Sequence, residues 1–131
     1  MRVCKIFRFD AAHYLPNYEG KCSRLHGHTW TLEVEVSSSK LISTGSEVGM
    51  VVDFAKLKNA VNREILNRLD HTLLNDTIEN PTCENLLEWI WKALFPWSIH
   101  EGGVVLERLR LYETPDSYAE VRREEKQTQS N

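Results

Sequence analysis

The chain is short of cysteine, glycine, proline and positive charge, and each shortage removes a class of protein. Its 131 residues hold three cysteines, Cys4, Cys22 and Cys83. Three thiols cannot build a paired disulfide framework, and an odd count with no secretory segment points to a reducing compartment. Six glycines and four prolines exclude a collagen-like or low-complexity composition. Lys plus Arg (16) falls below Asp plus Glu (19), for a net charge of −3, so overall charge makes no case for nucleic acid. No apolar run approaches the roughly 20 residues of a membrane span. With 41% hydrophobic and 27% charged residues, the composition is that of one globular domain, expected in the cytoplasm.

The hydrophobic pattern alternates at both ends of the chain and turns helical in the middle. Over residues 2–13, Val3, Phe7, Phe9, Ala11 and His13 share one parity, with Lys5 the exception; this predicts a strand with one buried face. Turn formers fill 14–25. Over 26–37, His26, His28, Trp30, Leu32, Val34 and Val36 fall on one face and Thr29, Thr31, Glu33, Glu35 and Ser37 on the other. A loop over 37–45 and a short strand over 48–52 are expected next. Asp53 is a good N-cap for a helix carrying Phe54, Leu57, Val61, Ile65 and Leu69 as one stripe. Thr82 caps a second helix, with Leu86, Leu87, Ile90 and Leu94 inward, and Pro96 marks its end near residue 95. Residues 104–113 read as a strand with Val105, Leu109, Leu111 and Glu113 on one parity and Glu107 the polar exception on it; 118–122 read as an edge strand. Residues 123–131 form a polar tail, frayed from 124 on. Strands, two helices, then strands predict an α+β domain with an antiparallel sheet and helices on one face.

The histidines carry the first chemical signal. His26 and His28, one residue apart on a strand, point to the same face, and Gly27 leaves the opposite face bare. His13 ends the first strand on its apolar parity. If these strands are neighbours, three imidazoles meet, a ligand set that leaves zinc a fourth position for water or substrate. The plainer alternative is two half-buried imidazoles with hydrogen-bond partners, but three neutral histidines on an apolar face are costly to bury. Cys22, four residues before His26, is open to two readings. It is a fourth ligand of a structural zinc, or a free thiol that a nearby cation keeps available as a thiolate base. Cys4 and Cys83 read as buried apolar cysteines.

Two further groups are candidates. Asp70 and His71 follow the stripe of the first helix; a carboxylate can orient an imidazole for acid–base work. Adjacent side chains rarely bond directly, so a helix C-terminus with a dipole-favoured histidine is the plainer alternative. Glu113 continues an inward parity, and a buried carboxylate needs donors. A heterocycle with neighbouring N–H and NH2 groups supplies two. Arg108 and Arg110 have the opposite parity.

Taken together, these segments resemble the 6-pyruvoyl-tetrahydropterin synthase family. The resemblance rests on Phe9-Asp10-Ala11-Ala12-His13 and Cys22-Ser23-Arg24-Leu25-His26-Gly27-His28. Val52-Asp53-Phe54 with Leu57-Lys58, Leu69-Asp70-His71 with Leu74-Asn75, Pro81-Thr82-Cys83-Glu84-Asn85 and Leu111-Tyr112-Glu113-Thr114 add to it. It spans residues 1–122 as a single domain. It implies the tunnelling fold, a four-stranded antiparallel sheet with two helices on one side. Three such sheets join into a barrel and two trimers stack into a hexamer with active sites between subunits. Three residues between Cys22 and His26 make the chain similar to the 6-carboxy-tetrahydropterin branch of queuosine synthesis. The implied reaction converts 7,8-dihydroneopterin triphosphate to 6-carboxy-5,6,7,8-tetrahydropterin, acetaldehyde and triphosphate. In that family His13, His26 and His28 would bind zinc and Cys22 would accept a proton. Asp70 and His71 would relay it, and Glu113 would anchor the pterin and take part in the relay. Thr82 and Glu84 would help seat the ring, while Lys21, Arg24 and residues of a neighbouring subunit would meet the triphosphate. The alternatives are the pyruvoyl-forming reaction, a non-catalytic protein with structural zinc, and a pterin-binding protein without activity.

Overall fold

The computed structural model describes residues 1–129, with side chains through 127. Two long strands, β1 (Arg2–His13) and β2 (His26–Ser37), pair antiparallel along their whole length, from Arg2 opposite Ser37 to His13 opposite His26. The helix α1 starts at Phe54–Val61, passes through a wider turn at Asn62–Leu66 and ends with Asn67–Leu69. A two-residue strand, β3 (Thr72–Leu73), follows, then α2 (Cys83–Trp97), β4 (Val105–Thr114), β5 (Ser117–Arg122) and a last helix, α3 (Arg123–Gln129). The sheet order is β3-β1-β2-β4-β5. Four strands are antiparallel as expected; the fifth, β3, lies parallel to β1 at Ala11 and Ala12, which the sequence pattern did not suggest.

One face of the sheet is covered by α1 and α2. Phe7, Phe9 and Ala11 of β1, Trp30, Leu32, Val34 and Val36 of β2, and Leu109 and Leu111 of β4 are buried against Leu57, Val61, Ile65, Leu69, Leu86, Ile90 and Leu94. Asp53 caps α1 by accepting from the Ala55 amide, and Thr82 caps α2 by accepting from the Asn85 amide at 3.0 Å. The α1 stripe steps by four residues, which overshoots a 3.6-residue turn. The i→i+5 turn at 62–66 takes up that drift, so Ile65 and Leu69 still face inward. Phe54 does not; it is 48% exposed.

Several expectations need correction. Residues 48–52 are not a strand. Gly45 and Gly49 take positive φ (85° and 87°), and Ile42 is pinched against the loop by bonds to the Gly49 amide and the Met50 carbonyl. Pro96 does not end α2, which continues through Trp97 into a wide turn at Ser98–Gly102 and stops at Gly103 (φ 60°). A bulge sets Glu35 opposite Arg108 but Val36 opposite Leu106. Glu107 is the extra residue, so Leu106 turns inward and Val105 outward. Cys4 is exposed, because its parity on β1 faces away from the helices. The polar segment after 122 is helical through Gln129, with Arg123 against Glu107 and Lys126 against Glu88; residues 130 and 131 of the expected tail lie outside the described residues.

Candidate active site

Pairing β1 with β2 brings together the three histidines that the parity placed on one face. His13 is opposite His26, and Ala11 is opposite His28. Their ring centroids are 4.6 to 5.1 Å apart, and one nitrogen from each lies within 4.8 Å of the other two. Trp30 closes the inner end, its ring edge-on to His13 and His28, and its indole N–H reaches the Ala11 carbonyl at 3.3 Å.

The hydrogen bonds fix which nitrogen is free. His13 Nδ1 lies 2.8 Å from the Pro81 carbonyl and His26 Nδ1 2.7 Å from the Arg24 carbonyl. A carbonyl only accepts, so each Nδ1 carries the proton and each Nε2 keeps its lone pair. Nε2 of His13 and of His28 are buried without a hydrogen-bond partner. Burial lowers the pKa of both rings below the ordinary histidine value, holding them neutral, which is the form that ligates a metal. Orphaned, convergent lone pairs are costly in a folded core and fit a divalent cation. The group that could hold it is the three histidines alone: Cys22 Sγ is not among those mutually close atoms. Cys22 instead sits half-buried on the short turn Lys21–Ser23, a free thiol. Among the described residues, no fourth ligand atom joins the three imidazoles within that distance.

Glu113 reaches the cluster from β4, its Oε2 3.8 Å from His13 Nε2. Arg108 and Arg110 are occupied elsewhere, by Glu33, Glu35 and Glu120, as their parity required. Glu113 lines a cleft of about 770 Å³ together with His28, Thr29, Thr31, Tyr112 and Arg8. Arg8 was missed by sequence reasoning, although the alternation of β1 puts it on the same face as Thr29 and Thr31. Thr82 and Glu84 do not line this cleft. Thr82 spends its hydroxyl on the α2 cap, and Glu84 is exposed in the first turn. Both Glu84 and Glu113 act on the Cys83 thiol, which burial first of all pushes up to about 11. Lys21 and Arg24 are exposed beside Cys22.

Asp70 and His71 bond directly, Oδ1 to Nδ1, at 3.0 Å. Adjacent side chains rarely meet this way, and here His71 takes the left-handed region (φ 60°). Asp70 Oδ1 also accepts from the Asp10 amide at 2.9 Å, and the His71 amide donates to the Asp10 carbonyl at 2.6 Å. The Asp10 amide first, and His71 after it, hold the Asp70 carboxyl below the usual aspartate range. The pair is exposed, and His71 lines a second cleft that shares Gly27, His28 and Thr29 with the first.

Comparison with known proteins agrees with this architecture. The profile described as 6-pyruvoyl tetrahydropterin synthase matches residues 2–124. A 6-carboxy-5,6,7,8-tetrahydropterin synthase of Synechocystis is 45% identical over 120 residues, covering 89% of each chain. A dihydroneopterin monophosphate aldolase of Pyrococcus furiosus is 40% identical, covering 86% of this chain and 91% of that one. The solved 6-pyruvoyl tetrahydropterin synthase of Caenorhabditis elegans superposes with a TM-score of 0.78 at 26% identity, over 93% of this chain and 94% of that one. The chain belongs to the 6-pyruvoyl tetrahydropterin synthase family and is a lyase of that family with its tunnelling fold. No helix among the described residues is long and apolar enough to cross a membrane.

Proposed function

We propose that this chain is a zinc-dependent 6-carboxy-5,6,7,8-tetrahydropterin synthase. It would consume 7,8-dihydroneopterin triphosphate and water and release acetaldehyde and triphosphate. The observation that carries the reading is the set of three convergent imidazoles with free Nε2 atoms, flanked by the Glu113 carboxylate. The name of the Synechocystis relative supports the choice of product.

His13, His26 and His28 would hold the zinc, which when bound supplies Lewis acidity to the hydroxyl-bearing side chain of the substrate. Glu113 offers two carboxylate oxygens to the 2-amino and ring N–H groups of the pterin, fixing the ring plane beside the histidines. Cys22 accepts a proton as thiolate; standing outside the ligand set, it is free to do so. Asp70 holds Nδ1–H of His71, leaving Nε2 of that ring to take up or return a proton. Thr82 and Glu84 would help seat the ring from the first turn of α2, which Thr82 also caps. Lys21, Arg24 and Arg8 are the local cations for the phosphate chain, within an otherwise acidic protein.

The catalytic unit is residues 1–122, and the sheet edges at β3 and β5 suit joining of sheets into a trimeric barrel and a hexamer. Placement in the cytoplasm and in queuosine precursor synthesis follows from the same reading.

The test is product analysis of the zinc-loaded protein with 7,8-dihydroneopterin triphosphate. Equal yields of acetaldehyde and 6-carboxy-tetrahydropterin are expected. Triphosphate release with a pyruvoyl product and no acetaldehyde places the chain in the pyruvoyl-forming branch. Cleavage of the monophosphate in preference to the triphosphate favours the activity named for the Pyrococcus relative.

A further inference from the structure

Asp10 touches both members of the Asp70 and His71 pair. The register of β1 and β2 sets it opposite Thr29, on the face of the sheet turned away from the helices. Thr29 Oγ1 donates to Asp10 Oδ1. The main chain of Asp10 reaches the other way, its amide to Asp70 Oδ1 at 2.9 Å and its carbonyl to the His71 amide at 2.6 Å. One oxygen of Asp70 therefore takes both the Asp10 amide and His71 Nδ1. One carboxylate oxygen of Asp10, one of Asp70 and one imidazole nitrogen of His71 lie within 4.8 Å of one another.

We propose that Asp10, oriented by Thr29, is a positioning residue for Asp70 and His71. Its backbone would set where the pair sits, and its side chain would place a second negative charge beside the imidazole. Two carboxylates this close repel each other, and a cation formed beside them relieves the repulsion. A proton arriving on His71 makes that cation. The backbone bonds do not depend on the Asp10 side chain, so the carboxylate is free to serve the proton carrier rather than the turn. This inference rests on reading His71 as the proton carrier.

Asp10→Asn keeps the shape, the backbone bonds and an acceptor for Thr29, and removes only charge. In steady-state turnover of the zinc-loaded protein it is expected to lower kcat about tenfold, a part of the usual acid–base contribution. KM, zinc content and the thermal midpoint should stay unchanged. Thr29→Val should lower kcat about threefold, and Thr29→Ser should restore it. Above all, Asp10→Asn combined with His71→Ala should be no slower than His71→Ala alone, because the two act as one unit. Wild-type kcat in Asp10→Asn, or losses that multiply in the double variant, overturns the inference while leaving the role of His71 standing. Wild-type kcat in His71→Ala overturns the role of His71 and the inference with it.

Discussion

Histidine stands in two different settings in this molecule, both reached by β1. The cluster of His13, His26 and His28 faces the helices. His13 is 1% exposed, two of its rings are held neutral by burial, and the Nδ1 atoms of His13 and His26 are tied to main-chain carbonyls. His71 stands on a turn with its side chain 78% exposed and its Nδ1 tied to a carboxylate. A carbonyl partner fixes a ring as a neutral donor of one lone pair to a metal. A carboxylate partner favours a ring that takes on a proton and gives it up. The difference lies in what each ring touches, since the side chains are identical.

That contrast can be broken most directly at His28. His28→Ala should abolish stoichiometric zinc, measured by atomic emission, and lower turnover about a thousandfold or more; retained zinc would dissolve the distinction. Cys22→Ala should keep one zinc per chain and lower turnover about 10²- to 10⁴-fold, as loss of a proton acceptor does. Loss of zinc there would return the thiol to the ligand set. His71→Ala should cost about 10²-fold in kcat with zinc unchanged.

The two sites should also separate by pH. His13 and His28 have pKa values lowered by burial. Below about pH 6.5, the ordinary histidine value, the unfolded chain binds protons that the folded chain refuses. Stability of the metal-free protein should therefore fall from pH 7 toward 5. Asp70, a carboxyl whose pKa is also lowered, contributes above its ordinary value of 3.8 and loses that contribution only as pH falls through its lower folded value. Urea midpoints across this range check the order; a midpoint that is flat down to about pH 4 would contradict it. The smallest effect is expected from Thr82→Ala. Loss of the cap should cost about 1 kcal/mol in urea unfolding. It should loosen zinc binding through Pro81 and His13, while leaving the arrangement of Asp70 and His71 alone.

Much of the histidine cluster was legible in advance because strand parity is a local property. His26, Gly27 and His28 alternate whatever surrounds them, and His13 stays in phase with Phe7 and Phe9. The inward turn of Glu113 was legible for the same reason, although the bulge at Glu107 changes the phase upstream of it. The contact between Asp70 and His71 was left open by the sequence; it forms at a turn where His71 has a positive φ and its amide donates to the Asp10 carbonyl, 61 positions earlier in the chain. Not legible either was the continuation of α2 through Pro96 into the wide turn that follows it.

The sequence by itself determined which faces are apolar, where the helices begin, and that three imidazoles share a side of two strands. Each of these follows from the period of the chain and the chemistry of one or two neighbouring residues. Only the tertiary structure decided that Cys22 stays outside the imidazole cluster, that the Nε2 atoms are the free ones, and that Asp10, bonded by Thr29, reaches Asp70 and His71. These depend on distances between residues far apart in sequence, set by strand register and by the packing of α1 and α2 against the sheet.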